Sequence, residues 1–134
     1  MKLESKLISN DLDFFKNFKF YAKKIDDKAT RVAQSSFYNY DRTYEYIDKM
    51  FDLLDKKKNY VIRYAVISET LKRLSEQSRT MLIDYFYKRK GYDAIAEKLG
   101  LSTRTCSRKI CELTKSYSLE KSFVEKEINS IKNK

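Results

Sequence analysis

Apolar residues recur at helical intervals along most of the chain. In the N-terminal half, six of them follow one another three or four residues apart: Phe15, Phe18, Ala22, Ile25, Ala29 and Val32. This is the spacing of heptad a and d positions, and it predicts an amphipathic helix. The helix either packs on its own domain or forms a seam with a second chain. The run 36–43 then breaks the pattern, and Asp41 or Thr43 can cap the helix that follows.

A second periodic stretch begins with Ile47, Phe51 and Leu54. Its later apolar members are Val61, Tyr64, Ala65, Leu71 and Leu74. The polar interval 56–59 between the two groups is either a joint between two helices or the solvated face of one long helix. We expect residues 1–72 to form an N-terminal helical region that serves packing, oligomerisation or partner binding.

A shorter helix is predicted after Ser75, a residue type that commonly caps helix N-termini. Its apolar face carries Met81, Leu82, Tyr85 and Phe86. We expect this helix to end near Lys90, and Gly91 then suits a positive φ at the break.

Two further helices follow with a short interval between them. The first spans Tyr92–Leu99, and the second is capped by Ser102. Their inward-facing residues are expected to be Ile95, Ala96, Leu99, Cys106, Ile110 and Leu113. A last helix and polar tail over residues 118–134 would use the apolar positions Leu119, Phe123, Ile128 and Ile131.

The segment Tyr92–Ile110 meets the steric demands of a helix-turn-helix. Two helices that cross steeply need a small residue where they touch, and Ala96 supplies it. The tight turn needs a residue that can leave the right-handed region, and Gly100 stands four residues later. We therefore predict a helix-turn-helix domain over residues 73–117 within an all-α fold.

The same part of the chain, Arg73–Leu113, resembles region 4 of the sigma-70 family. The matching residues are the Leu-Ser-Glu run of the leading helix, the run Ile-Ala-Glu-Lys-Leu-Gly-Leu-Ser that starts at Ile95, and a Thr-Cys pair where the family has Thr-Val. Ala94 and Gly91 depart from the family, which usually has glutamate and a serine or threonine at these positions. Nothing in residues 1–70 resembles sigma region 2, so a complete sigma factor is not expected.

The overall plan of a helical front and a region-4-like back is similar to phage late-transcription regulators of the autolysin-regulator (ArpU) and RinA types. These resemblances imply a regulator of transcription that binds double-stranded DNA sequence-specifically. In such proteins the second helix of the motif enters the major groove. Its exposed side chains are expected to meet base edges here through Thr103, Arg104, Ser107 and Arg108. Phosphate contacts are expected from Arg89, Lys90, Tyr92, Ser102, Thr105 and Lys109.

Composition and charge agree with this interpretation. The chain has no proline and two glycines, which favours long helices over the many tight turns of a β-sandwich. Its net charge is +10, and residues 61–134 carry 16 basic and 9 acidic side chains. Such an excess favours a polyanionic partner. No apolar stretch is long enough to span a membrane, so we expect no membrane partner and a cytoplasmic protein.

Catalysis and cofactor binding find no support in the sequence. There is no histidine, nucleophile motif or glycine-rich phosphate loop. Cys106 and Cys111 fall on different faces of a helix, so neither a zinc site nor a mutual disulfide is expected. The alternative function is an adaptor whose helix-turn-helix fold docks on RNA polymerase or another protein. A homodimer is a further hypothesis, in which the N-terminal helices pack on Met81–Phe86 and pair two chains.

Overall fold

A computed structural model describes residues 2–38 and 40–132. Its elements are α1 (Lys2–Lys16), α2 (Phe18–Tyr38), a 3₁₀ turn (Tyr40–Arg42), α3 (Thr43–Arg73), α4 (Glu76–Leu82), a π-helical segment (Ile83–Tyr87), α5 (Tyr92–Leu99) and α6 (Thr103–Lys132). The described residues contain no strand, which confirms the all-α class. No helix in this part of the chain is long and apolar enough to cross a bilayer.

The chain forms two compact units. The hairpin unit is Asn17–Ala65, and the main unit combines residues 1–16 with residues 66–134. These units are defined by packing, and their boundaries differ from those of the ranges 1–72, 73–117 and 118–134, which the sequence pattern predicts. The main unit contains α4, α5 and α6, and therefore all the residues predicted to contact DNA.

In the hairpin unit, α2 and the first part of α3 run antiparallel. The ring centroids of Phe18 and Tyr64 lie 4.4 Å apart, and those of Tyr21 and Tyr60 lie 6.3 Å apart. Farther along, the Lys57 ammonium lies 2.6 Å from the Asp26 carboxylate. That ion pair is exposed, so it contributes little to stability, and the aromatic contacts hold the two helices together.

The apolar seam predicted from Phe15 to Val32 does not follow a single helix. Phe15 lies in α1, and Asn17 interrupts the helix before α2 begins at Phe18. The Asn17 carbonyl accepts hydrogen bonds from the amides of Phe20 and Tyr21, at 3.0 and 3.2 Å. Apolar residues three and four positions apart occur on both sides of Asn17, so their spacing alone cannot reveal the break.

The polar interval 56–59 lies inside α3, which runs unbroken from Thr43 to Arg73. Of the two possibilities that the sequence left open, it is therefore the solvated face of one long helix. Lys56 and Lys58 are exposed there, as expected for such a face.

The core of the main unit forms where α1 lies against the π-helical segment. Its buried apolar residues are Ile8, Leu12, Phe14, Val66, Ile67, Leu71, Met81, Leu82, Phe86, Ile95, Ala96, Cys106, Ile110, Tyr117 and Val124. Leu12 is fully buried, and the Ser9 hydroxyl donates to the Phe86 carbonyl at 3.5 Å. The predicted contact of N-terminal residues with Met81–Phe86 is thus made by α1, which the apolar pattern had not singled out.

A buried polar cluster joins α1 to α6. The Asp11 side chain accepts a hydrogen bond from the Tyr117 hydroxyl at 3.0 Å and lies 2.6 Å from the Lys121 ammonium. A buried carboxylate is tolerated only when such partners replace its water. The cluster therefore fixes how α1 lies along α6.

The last helix predicted for residues 118–134 is wrong as a separate element. α6 continues from Thr103 to Lys132, because neither glycine nor proline interrupts it near Tyr117. The residues it buries in this half are Tyr117 and Val124. The expected core positions Leu119, Phe123 and Ile131 are exposed, and Ile128 is half-buried.

Candidate nucleic-acid interface

α4 is the first helix of the segment that leads to the candidate site. The Ser75 hydroxyl accepts a hydrogen bond from the Ser78 amide at 3.2 Å, which confirms the predicted N-cap. The helix does not continue regularly to Lys90, however. It changes to a π-helical segment at Ile83 and ends at Tyr87. Single π-helical turns often occur at functional sites, since they redirect the side chains that follow.

The prediction of a positive φ at Gly91 is wrong. Gly91 has φ −71° and ψ 164°, an extended conformation open to any residue, and it precedes α5 as its N-cap. The left-handed residue is Arg89, with φ 56°. This conformation brings the Lys90 amide to 2.9 Å from the Asp84 carbonyl, which satisfies the end of the π-helical segment.

Gly100 does adopt the left-handed conformation predicted for the turn after α5, with φ 68°. The Gly100 amide donates to the Glu97 carbonyl at 3.3 Å, and the Leu101 amide donates to the Ala96 carbonyl at 2.9 Å. This pair of bonds is the Schellman motif, in which the residue after the helix needs a positive φ. Ala96 itself is buried, as expected of a small residue at a helix crossing.

The start of α6 is capped by Ser102, again as predicted. The Ser102 hydroxyl accepts a hydrogen bond from the Thr105 amide at 3.1 Å, and its oxygen lies 2.8 Å from the Thr105 hydroxyl oxygen. Cys106 and Ile110 are buried, which turns the opposite side of the first turns towards solvent. Leu113, expected in the core, is half-buried.

The residues predicted to meet base edges lie together on the first two turns of α6. Thr103, Arg104 and Arg108 are exposed, and Ser107 is half-buried. Arg104 and Arg108 are one turn apart, which separates their Cα atoms by about 6 Å along the axis. Thr103 is partly engaged, because its hydroxyl donates to the Asp93 carboxylate of α5 at 2.9 Å.

The first turns of α6 carry an excess of positive charge, although the exposed Asp93 carboxylate of α5 lies beside Thr103. From Thr103 to Cys111 the helix has three basic residues and no acidic one, and Glu112 is the first acid of α6. The positive end of the helix dipole adds to the same sign. An anion near the N-terminus of α6 is therefore favoured by both the side chains and the backbone.

The residues predicted to contact phosphates differ in how exposed their side chains are. Lys109 is half-buried beside a groove whose other lining residues are Gln77, Ser78, Met81, Glu112, Leu113 and Ser116. It faces α4 there, whereas Arg104 and Arg108 stand exposed. The Ser102 and Thr105 hydroxyls bond to each other in the cap of α6, although Ser102 remains exposed.

Arg89 and Lys90 are exposed in the connection before α5. Tyr92, at the start of α5, is instead half-buried against Tyr85. Their rings stack with centroids 5.0 Å apart, and their hydroxyl oxygens lie 3.1 Å apart. The hydrogen bond with Tyr92, helped by partial burial, raises the pKa of Tyr85 to about 12. Tyr92 thus serves to dock α5, besides any contact with a ligand.

A buried carboxylate that sequence reasoning missed positions α5. Asp84, in the π-helical segment, is 2% exposed, and its oxygens lie 3.1 Å from the Lys98 ammonium and 3.7 Å from that of Lys88. Lys98 belongs to α5, so this ion pair ties the helix before the turn to the segment beneath it. No spacing rule could find it, because Asp84 looks like an ordinary polar position of an amphipathic helix.

Both cysteines are free thiols. Cys106 is fully buried, and burial raises the pKa of its thiol. Cys111 is half-buried. Among the residues that the structure describes, no cluster of three histidine, cysteine or acidic side chains could hold a metal ion. Cys106 therefore acts as a small apolar core residue.

Comparison with protein families, curated proteins and solved structures found no match to this chain.

Proposed function

We propose that the protein is a transcription regulator that binds double-stranded DNA through a helix-turn-helix formed by α5, the turn at Gly100 and α6. The proposal rests on the N-terminal face of α6. Arg104 and Arg108 are exposed there, and none of the first nine residues of the helix is acidic. In this arrangement α6 is the recognition helix, and its first turns enter the major groove. The resemblance of Arg73–Leu113 to sigma region 4 supports the same role.

Within this proposal the residues divide by what they contact. Arg104 and Arg108 read base edges, for which the guanine O6/N7 pair is the usual partner, and Thr103 and Ser107 flank them. Arg89 and Lys90 contact the phosphate backbone and position the protein without selecting a sequence. Three other predicted phosphate contacts are secondary, because their side chains already bond or pack within the protein. They are those of Tyr92, Thr105 and Lys109.

The experiment is a binding titration on a duplex selected from a random pool by the full-length protein. We expect Arg104→Ala or Arg108→Ala to weaken binding to the selected duplex by about 1–3 kcal/mol and binding to random duplex by less. Wild-type affinity should also fall steeply as salt increases, because bound phosphates release counterions.

The matched control is Lys126→Ala, which removes the same charge from an exposed position of α6 outside the proposed interface. Its affinity for the selected duplex should stay close to that of wild type. If both arginine variants bind as tightly as Lys126→Ala, α6 is not the recognition helix.

The adaptor function is a second candidate, favoured by apolar side chains on the C-terminal half of α6. Leu119 and Phe123 lie one turn apart and are 58% and 46% exposed. Such a pair fits a protein partner better than a phosphate backbone. In this alternative, RNA polymerase co-purifies with the protein, Leu119→Glu abolishes the association, and DNA retention is weak at every salt concentration.

A further inference from the structure

One face of α3 carries a row of large apolar side chains that are open to solvent. Their exposed fractions are 86% for Tyr44, 43% for Ile47, 62% for Phe51, 56% for Leu54 and 49% for Val61. We call this row the α3 stripe. Single exposed apolar residues are normal on a protein surface, but a contiguous row of this length usually marks an interaction site.

The α3 stripe has the spacing of a coiled-coil seam. Its members are separated by three, four, three and seven residues, and exposed Lys58 fills the missing heptad position before Val61. Residues at such intervals lie on one side of a helix. α2 contacts α3 through Lys57, Tyr60 and Tyr64, which lie roughly a third of a turn away from the stripe. Near its C-terminus α2 also borders one edge of the stripe, where Val32, Ala33 and Ser36 line a groove with Ile47, Phe51 and Leu54. The hairpin nevertheless leaves each stripe side chain at least 43% exposed.

We propose that the α3 stripe is the interface of a homodimer, in which the α3 helix of a second copy lies antiparallel along it. A seam of alternating a and d positions is complementary to another copy of itself. Five large side chains with these exposures offer roughly 500 Å² per copy, so that two copies bury on the order of 1,000 Å², at the lower limit for a specific interface.

The position of Lys58 in the seam favours the antiparallel orientation. In a parallel dimer in register, Lys58 would lie against the partner's Lys58, and two like charges would meet within an apolar seam. In the antiparallel dimer Tyr44 pairs with Val61 and Phe51 pairs with Leu54, so the whole stripe is matched. Lys58 then lies opposite the partner's Ile47, and its ammonium can reach the partner's Asp48, an exposed acid beside the seam.

The first test is the mass of the full-length protein in sedimentation equilibrium at tens of micromolar. Wild type should have twice the chain mass of 16.1 kDa, whereas Phe51→Glu and Leu54→Glu should sediment as monomers. Phe20→Glu is the matched control, because Phe20 is 57% exposed on α2 and lies outside the stripe. Circular dichroism checks that each variant remains helical. A monomeric wild type, or a dimer that Phe51→Glu and Leu54→Glu leave intact, would overturn the proposal.

The second test addresses the orientation. Asp48→Lys and Lys58→Asp should each weaken dimerisation roughly tenfold, because each puts like charges together at two symmetric places. The double variant Asp48→Lys with Lys58→Asp restores opposite charges and should recover most of the loss. Single variants without effect, or a double variant weaker than both, would exclude the antiparallel register. DNA is absent from both tests, so their outcome is independent of the proposed function.

Discussion

Arg89 before α5 and Gly100 after it both have a positive φ, but they differ in residue type. Gly100 reaches φ 68° without a β-carbon, whereas Arg89 holds φ 56° with a full side chain. The left-handed region costs an L-residue other than glycine roughly 1 kcal/mol or more. Glycine has no β-carbon, so this cost is absent at Gly100, in the turn that precedes α6.

Gly100→Ala should therefore lower the free energy of unfolding by about 1 kcal/mol. The loss comes from the backbone alone, because a β-carbon at Gly100 would have no neighbouring atom within 4 Å. Urea unfolding followed by circular dichroism measures it.

Gly91→Ala is the matched control for this change. Gly91 also has open space around its missing β-carbon, but its φ of −71° suits any residue. Alanine there should be neutral or slightly stabilising, since it restricts the unfolded chain. Equal losses at Gly91 and Gly100 would contradict the role given to the left-handed turn.

At the scale of elements, α5 is a short helix that depends on what lies beneath it. Two of its eight residues, Ile95 and Ala96, are buried, so apolar burial alone holds it weakly. The ion pair of Lys98 with buried Asp84 and the stacked pair of Tyr92 with Tyr85 add specific contacts. The orientation of α5, and through the turn that of α6, depends on these contacts.

Lys98→Met should cost about 1–2 kcal/mol of stability, since it keeps the aliphatic packing but leaves the Asp84 carboxylate with only the more distant ammonium of Lys88. Half of the Lys98 side chain is exposed, and solvent screening keeps the loss below that of a fully buried pair. Lys88→Met is the control and should cost less. Thermal unfolding compares the two variants, and an equal loss in both would show that Lys98 does not tie α5 to the π-helical segment.

At the scale of the whole molecule, the N-terminal helix α1 belongs to the unit that contains α6. Ile8 and Leu12 lie in its core, and Asp11 is bonded to Tyr117 and Lys121 of α6. The candidate interface therefore depends on residues about a hundred positions away in the sequence. A segment of some forty residues such as Arg73–Leu113 buries little apolar surface by itself, and α1 supplies part of what is missing.

Leu12→Ala should lower the free energy of unfolding by about 2–4 kcal/mol, because it opens a cavity at a fully buried site. Leu7→Ala makes the same chemical change on the same helix at a side chain that is 50% exposed, and it should cost less than about 1 kcal/mol. Urea unfolding of the full-length chain measures both. Similar losses in the two variants would mean that α1 does not complete the core.

The sequence by itself determined the features that depend on neighbours within one or two turns. The caps Ser75 and Ser102, the left-handed Gly100 and the burial of Ala96, Cys106 and Ile110 all follow from residue type and local spacing. Backbone conformation and capping act over a few residues, so they are visible in the order of residues alone. The all-α class is determined in the same way, by a helical period with few breakers.

Only the tertiary structure decided which face of a helix is covered. Asp11 is buried against α6, where Lys121, 110 positions later, pairs with it, and α1 belongs to the main unit although α2 follows it directly in the sequence. Phe123 and Phe51 belong to helical apolar patterns and are exposed, whereas Val124, next to Phe123, is buried. Periodicity shows that a face is apolar, but the element that covers it comes from elsewhere in the chain, or from a second chain.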